Sequence, residues 1–397
     1  MSVVIIGAGD CGSRAAFALR ENGYIGSICL LGEEPGLPYE RPNLSKPDIE
    51  GAIEKRVAPV EKYQASDIDL VTGVSAVEIS LSEKRVKCSD GRSVTYDKLL
   101  LATGGRPRRL ANIDHAHLNV FRSRGDATEV FAKARTAQNI VIVGAGLIGL
   151  ELAAALIGGE RSVTVIEAGP EAAARALPVE LSRPLVEIHR QKGVQFLFET
   201  SVESVSAGEV IVSGGLRIPT DLTISAIGIV ANTELAEAAG IDCQNGIKVD
   251  AQLRTSAPDV FAAGDCASVF YKSNGQYFRR EAWRSALEQA DIAVLNILGK
   301  KCEYDMLQWF WTDQFDRHIQ CAGDMAGATQ MVKRDLGDGA MVLFYLDAQN
   351  RLSGAYGTSI GTSVAKIIKI SERLINKCCP VDPVDLIDAS FNLKRLL

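Results

Sequence analysis

Val3-Val4-Ile5-Ile6-Gly7-Ala8-Gly9-Asp10-Cys11-Gly12 opens the chain and sets the expectation for everything after it. Four β-branched residues predict a buried parallel strand. The glycines then predict a turn into a helix that begins near Gly9. Its N-terminal N–H groups and positive dipole end suit a pyrophosphate. Gly7 permits the tight turn, Gly9 lets the backbone approach the phosphates, and Gly12 lets the helix pack on the strand. The pattern G-x-G-x-x-G is unspecific by itself. With a strand before it and the helical Ala15-Ala16-Phe17-Ala18-Leu19 after it, the stretch predicts a dinucleotide site.

A second stretch, Ile140-Val141-Ile142-Val143-Gly144-Ala145-Gly146-Leu147-Ile148-Gly149, repeats the first nearly position for position. Two strand–loop–helix units in one chain predict two Rossmann-type domains. Each unit should carry an acid at the end of its second strand to accept from a ribose hydroxyl. In the second unit that acid is Glu167, after Ser162-Val163-Thr164-Val165-Ile166. A carboxylate there accepts a free 2′-hydroxyl and repels a 2′-phosphate, which predicts NADH over NADPH. Arg161 and Arg175 lie near in sequence and are expected at the surface. In the first unit the acid is Glu33 or Glu34.

The segment from 140 to 159 is apolar except for Glu151, and a membrane-spanning helix needs about 20 such residues. The β-branched start and the glycine turn favour strand, loop and buried helix instead, so no membrane span is expected. No basic region precedes an apolar one at Met1-Ser2-Val3, so no signal peptide is expected either. At 397 residues with a formal charge of −6, the chain has room for two or three domains and argues against general nucleic-acid binding. Nine cysteines without a C-x-x-C point to free thiols in a reducing, cytoplasmic setting. The four histidines lack metal-ligand spacing, so no metal is expected.

Between the two units lies Leu37-Pro38-Tyr39-Glu40-Arg41-Pro42-Asn43-Leu44-Ser45-Lys46-Pro47, a proline-rich and stiff segment that holds two cations, Arg41 and Lys46. Tyr96 to Leu101 predicts a buried strand that runs into Ala102-Thr103-Gly104 and Arg106. Val260-Phe261-Ala262-Ala263-Gly264-Asp265 repeats that logic, and ligands of open α/β sheets sit at such carboxyl ends. Asp265 can accept from a cofactor hydroxyl or cap a following helix. Glu151 can complement a helix dipole in its first turn, but as the only charge in an apolar run it calls for a partner, and Lys46 is a plausible one. The last hundred residues read as a separate α+β domain, with Trp309-Phe310-Trp311, strands such as Met341–Tyr345, and a helix from about Val364 to Leu374.

Across nearly its whole length the sequence resembles the FAD-dependent, NADH-using ferredoxin reductases of Rieske-type oxygenase and bacterial cytochrome P450 systems. That family is also similar to apoptosis-inducing factor. The resemblance rests on Pro38-Tyr39-Glu40-Arg41-Pro42 with Leu44-Ser45-Lys46, Ala102-Thr103-Gly104 with Arg106-Pro107-Arg108, and Gly144 to Glu151. It continues through Pro258 to Ala267, Glu281-Ala282-Trp283 and Trp309-Phe310-Trp311-Thr312-Asp313-Gln314.

The resemblance implies an α/β, glutathione-reductase-like architecture. A FAD domain over 1–108 and 233–303 would be interrupted by an NADH domain over 109–232 and followed by a C-terminal α+β domain over 304–397. It implies that Gly7, Gly9, Gly12, Glu33, Arg41, Ala102, Thr103, Gly104, Arg106, Gly264 and Asp265 hold FAD. It implies that Gly144, Gly146, Gly149, Glu167 and Gly228 belong to the dinucleotide sites, with NADH on the second glycine loop. Lys46 would lie beside the flavin N5 and pair with Glu151, and Trp283 would sit near the flavin ring. The implied partner is a [2Fe–2S] ferredoxin that feeds a Rieske oxygenase or cytochrome P450. An acidic ferredoxin would require a local basic face, expected among Arg279, Arg280, Arg284, Arg317, Lys333 and Arg334.

Two other functions remain open at this level. An NADH oxidase or disulfide reductase would need a redox cysteine near the flavin, and none lies between Cys29 and Cys88. A redox-sensing flavoprotein would use the C-terminal domain as an interaction module. Family members commonly carry a neutral or histidine-like residue where this chain has Asp10, and Asp10 is expected to point away from the phosphates and bond a nearby backbone or cation group.

Overall fold

The computed structural model describes residues 1–46, 55–111, 113–272 and 275–397. Pro47 of the proline-rich segment lies outside them. Backbone contacts divide the described chain into two compact units.

The first unit comprises residues 1–43, 55–106 and 229–306. Its centre is a five-stranded sheet in the order Val260–Ala262, Lys98–Leu101, Ser2–Ile6, Ser27–Gly32, Ile68–Thr72, parallel throughout. Val3 stands opposite Ile28 on one side and Lys98 on the other. The strands are apolar runs because both faces are covered: Ile5, Leu30 and Leu100 have no exposed surface. Burying each such side chain contributes about 1.5–3 kcal/mol. All strands point the same way, so Ile6, Gly32, Leu101 and Ala262 end at one edge of the sheet and deliver the loops that follow them to that edge.

The helix Asp10–Glu21 begins where the first glycine loop predicts, with Gly9 at its N-cap. It packs against the helix Trp283–Ile297. Asp90-Gly91 turns a hairpin between Arg85–Cys88 and Ser93–Thr95, with Gly91 at φ +85°.

The second unit comprises residues 44–46, 107–228 and 307–397 of the described chain. One part is a second five-stranded parallel sheet in the order Val194–Leu197, Ser162–Ile166, Asn139–Val143, Leu222–Ser225, Leu118–Val120. The helix Leu147–Leu156 follows its central strand with Gly146 at the N-cap. The other part is a five-stranded antiparallel sheet in the order Trp309–Gln314, Arg317–Gly323, Leu352–Ile360, Ala340–Leu346, Gln330–Gly337. The helix Ala365–Lys377 closes one face of it, burying Ile368, Leu374 and Ile375 in one cluster with Val342, Phe344 and Leu346. It runs one turn past the expected Leu374 and stops at Cys378, whose backbone is left-handed at φ +51°.

Candidate functional site: two glycine loops and a lysine–carboxylate cluster

The two glycine loops have the same local anatomy. Gly7 sits at φ +109° and a Cβ there would meet the Ala102 carbonyl oxygen at 2.1 Å; one on Gly12 would meet the Gly7 oxygen at 1.8 Å. In the second loop a Cβ on Gly144 would meet the Ala226 oxygen at 2.7 Å, and one on Gly149 the Gly144 oxygen at 2.0 Å. The middle glycines differ. Nothing lies within 4 Å of a Cβ on Gly9, and only the Ala226 oxygen, at 4.0 Å, approaches one on Gly146. The outer glycines therefore serve the packing of helix on strand, and the middle ones face open space at a helix N-terminus. Neither helix has a side-chain cap at Gly9 or Gly146, so the first-turn N–H groups are available to an anion.

Around the first loop, Ala102, Thr103 and Gly104 follow the strand Lys98–Leu101. The Thr103 hydroxyl donates to the Asn232 carbonyl at 2.7 Å and the Asn232 amide donates to the Thr103 carbonyl at 2.9 Å, with Gly104 at φ +67°. Arg106 donates to the Asn232 side chain at 2.9 Å and pairs with Glu234 at 2.5 Å. Gly264, at φ +81°, donates its N–H to Gln289 Oε1 at 2.8 Å. Gln289 Nε2 is buried and has no protein partner among the described residues. Asp265 is followed by the strand Ala267–Tyr271, so it caps no helix. An uncapped helix end, open space over Gly9 and an unpartnered buried amide donor fit a dinucleotide with an anionic pyrophosphate and acceptor groups beyond it.

Within the stiff proline-rich segment Arg41 lies in a 3₁₀ turn, Arg41–Asn43, with which the fixed φ of Pro42 is compatible. Its guanidinium pairs with Glu34 Oε1 at 2.6 Å, and the Tyr39 hydroxyl donates to Glu34 Oε2 at 2.7 Å. That leaves Glu33, exposed and one residue past the strand end at Gly32, as the acid facing outward. Asp10 turns to the protein. Trp283 Nε1 donates to its Oδ1 at 3.1 Å and the Arg41 backbone N–H to its Oδ2 at 3.4 Å. Burial pushes the Asp10 carboxyl up to about 6, which these bonds and the Arg41 charge only partly offset.

On the second loop, Glu167 accepts the Ala145 N–H on Oε2 and the Gly169 N–H on Oε1, each at 2.8 Å. A carboxylate has about four acceptor directions, so both oxygens retain one for a ribose hydroxyl. Gly228 is at φ +95°, with Arg175 Nη2 3.2 Å from where its Cβ would stand.

Lys46 and Glu151 meet in a cluster of side chains. Glu151 is the fifth residue of its helix, beyond the first turn where it would complement the dipole, and it is 5% exposed. Ser45 donates to its Oε2, Thr312 donates to its Oε1 at 2.6 Å, and Lys46 Nζ stands 3.9 Å from Oε1. Burial raises the Glu151 carboxyl; Lys46, Ser45 and Thr312 pull it down without cancelling that. The nearer partner of Lys46 is Asp313 Oδ2, at 2.9 Å, and the ammonium also lies 4.6 Å from the Trp311 ring centre. Asp313 in turn holds His318 Nδ1 at 2.6 Å and accepts from Trp311 Nε1 at 3.1 Å. Burial alone would raise Asp313, but the bonds from His318 and Lys46 outweigh it and hold the carboxyl down to about 2.

Asp313, Thr312, Ser45 and His318 were not among the residues expected at this site. The strand Trp309–Gln314 alternates its side chains, so Trp311 and Asp313 share one face while Thr312 and Gln314 share the other. Its antiparallel register sets His318 directly opposite Asp313. The signal available in the sequence was the Trp-Thr-Asp-Gln stretch itself, read with period two.

The expected basic face needs correction. Arg334 is 4% exposed and donates to the carbonyls of Ala389 and Phe391 at 3.0 and 2.7 Å, holding the C-terminal turn. The Arg279 side chain is 7% exposed and pairs with Glu281. Arg284 pairs with Glu288 on its own helix. Arginines in an amphipathic sequence can serve carbonyls and carboxylates as readily as solvent. Lys333 is half exposed and stands 3.6 Å from Asp335 Oδ2.

A family model described as pyridine nucleotide-disulphide oxidoreductase matches residues 1–294, and one described as reductase C-terminal matches 309–397. The chain belongs to the pyridine nucleotide-disulphide oxidoreductase family. This oxidoreductase is 34% identical to the ferredoxin–NAD(+) reductase component of the p-cumate 2,3-dioxygenase system of Pseudomonas putida, over 99% of this chain and 97% of that one. The ferredoxin reductase for the CYP199A2 system of Rhodopseudomonas palustris superimposes with a TM-score of 0.94 at 30% identity, covering 99% of both chains. The covalent putidaredoxin reductase–putidaredoxin complex contains a chain that matches with a TM-score of 0.92 at 31% identity, covering 100% of this chain and 97% of that one. Among the described residues no helix is long and apolar enough to cross a membrane.

Proposed function

We propose that this oxidoreductase is a cytoplasmic FAD-dependent NADH:ferredoxin reductase whose electrons reach a Rieske oxygenase or cytochrome P450 through a [2Fe–2S] ferredoxin. The observation that carries the reading is the pair of glycine loops with open, uncapped helix ends together with a lysine–carboxylate cluster, built on the buried Glu151, in place of a redox cysteine. Bound FAD supplies the conversion of a hydride's electron pair into single electrons.

The residues divide the remaining work. Gly7, Gly9 and Gly12 with the helix Asp10–Glu21 hold the FAD pyrophosphate, and Glu33 takes its ribose. Arg41, Ala102, Thr103, Gly104, Arg106, Gly264 and Asp265 line the same cofactor. Gly144, Gly146, Gly149, Glu167 and Gly228 seat NADH. Lys46, held by Asp313 and Glu151, would supply a cation to stabilise negative charge on the flavin. Trp283, steadied by Asp10, would sit near the flavin ring. The flavin domain is formed by 1–108 and 233–303, the NADH domain by 109–232, and the C-terminal domain by 304–397.

NADH-driven cytochrome c reduction, run with and without [2Fe–2S] ferredoxins and repeated with NADPH, tests the reading. Turnover should depend on the ferredoxin, prefer NADH and fall as salt rises. Hydrogen peroxide formed in step with NADH and without need of ferredoxin would instead mark an oxidase.

A further inference from the structure

His189 lies far from both glycine loops in sequence, on the helix Val179–Gln191, and has no exposed surface. It is nevertheless joined to Glu151 by an unbroken line of hydrogen bonds. His189 Nε2 stands 2.8 Å from Gln314 Oε1, Gln314 Nε2 donates to the Thr312 hydroxyl at 3.1 Å, and that hydroxyl donates to Glu151 Oε1 at 2.6 Å. The rings of Phe315 and Phe196 pack edge-on to His189 at 4.8 and 5.9 Å, and burial lowers the pKa of its imidazole, favouring the neutral form.

Donor and acceptor counting allows such a line two senses. In one, His189 carries its proton on Nε2, Gln314 Oε1 accepts it, Gln314 Nε2 gives to Thr312, and Thr312 gives to an ionised Glu151. In the other every bond reverses: a protonated Glu151 gives to Thr312, Thr312 to Gln314 Oε1, and the turned amide to a bare Nε2. The imidazole proton must then sit on Nδ1. His189 Nδ1 is buried without a partner. An unpartnered buried acceptor is tolerated more readily than an unpartnered buried N–H, so the second sense strands a donor and the first does not.

We propose that His189 is a positioning residue that fixes the direction of this hydrogen-bond line, and thereby keeps Glu151 in its ionised, accepting form beside Lys46. This rests on the role given to Glu151 and Lys46 under the proposed function. The other charged groups facing Glu151 are Lys46, at 3.9 Å, and Asp313, which carries His318. Those facing His189 are Arg190 and Lys192, lying over the Phe196 and Phe315 rings. None of them depends on which imidazole nitrogen carries the proton. His189 opposes the burial that raises Glu151 by acting through neutral dipoles.

The test has two arms on the intact holoenzyme. Nitrogen-15 NMR of the wild-type protein, with His189 assigned by its loss in a variant, should show Nε2 protonated and Nδ1 bare; the reverse tautomer overturns the proposal. Infrared difference spectra, with E151Q as the reference, follow the Glu151 carboxyl through a pH titration. H189L should raise the midpoint of its ionisation by about one pH unit, whereas H189Q, which keeps a donor toward Gln314, should leave it near the wild-type value. An unchanged midpoint in H189L overturns the proposal. If E151Q reduces its flavin at the wild-type rate while the H189L midpoint still moves, the hydrogen-bond line stands and the role assigned to Glu151 fails. Should H189L not fold, the wild-type tautomer and the H189Q midpoint decide.

Discussion

Lys46 Nζ lies 2.9 Å from Asp313 Oδ2 and pairs with it more closely than with Glu151, its expected partner, at 3.9 Å. The ammonium therefore stands between two carboxylates with unlike surroundings. Glu151 is sealed among Ser45, Thr312 and the apolar helix; Asp313 is nearly half exposed and held by His318. The side chain is thus held from two sides.

Lys46→Ala should slow reduction of the bound flavin by NADH about ten- to a hundredfold in stopped-flow mixing, since it removes one positioned charge from the reacting centre. Asp313→Asn should cost less, about tenfold or below, because Glu151 still holds the lysine. Equal rates for the wild type and Lys46→Ala would exclude the assigned role.

Asp10 should govern a pH-dependent part of stability. Burial pushes its folded-state carboxyl up to about 6, above the 3.8 of an unperturbed aspartate. The protonated form is thus favoured by folding, and the stability it contributes is full below about pH 4 and lost as the pH rises through 6. Asp10→Asn keeps an acceptor for Trp283 and removes the buried charge. Chemical unfolding of the apoprotein should find the variant more stable than wild type by about 2–3 kcal/mol at pH 8 and nearly equal to it near pH 4.

The glycines of the first loop should separate into two kinds. Gly12→Ala drives a methyl into the Gly7 carbonyl at 1.8 Å, and a backbone clash of that size should cost about 3 kcal/mol or prevent folding. A Cβ on Gly9 meets no protein atom within 4 Å, so Gly9→Ala should fold with an unchanged apoprotein melting temperature and lose FAD on dialysis. Cofactor retention and melting temperature, measured side by side, check both.

Glu167 should couple loop geometry to coenzyme choice. Glu167→Gln keeps acceptance at one oxygen but loses the charge and one of the two backbone bonds, to Ala145 or Gly169. The KM for NADH should rise about tenfold while that for NADPH falls or holds, narrowing the preference. Steady-state kinetics with both coenzymes decides; an unaltered ratio would show that the carboxylate serves the loop alone.

The strands, the two glycine turns and the acid after the second Rossmann strand were legible without coordinates, because each is a local pattern. A run such as Val3–Ile6 can only be buried, Gly7 and Gly144 occupy backbone that other residues enter at a cost, and Glu167 follows its strand at a set distance. The C-terminal sheet was legible as a domain but not as a contributor to the lysine cluster. Long-range register made that contribution: Asp313 stands opposite His318, and Thr312 reaches a glutamate 161 positions away. Arg334 shows the same limit in reverse, a charged residue expected at the surface and found donating to buried carbonyls of the C-terminal turn. Sequence alone determined where a glycine loop runs into a helix N-terminus, since both are properties of neighbouring residues. Tertiary structure decided which charges meet, because the energy of a buried ion depends on every group within a few ångströms, and those groups come from distant parts of the chain.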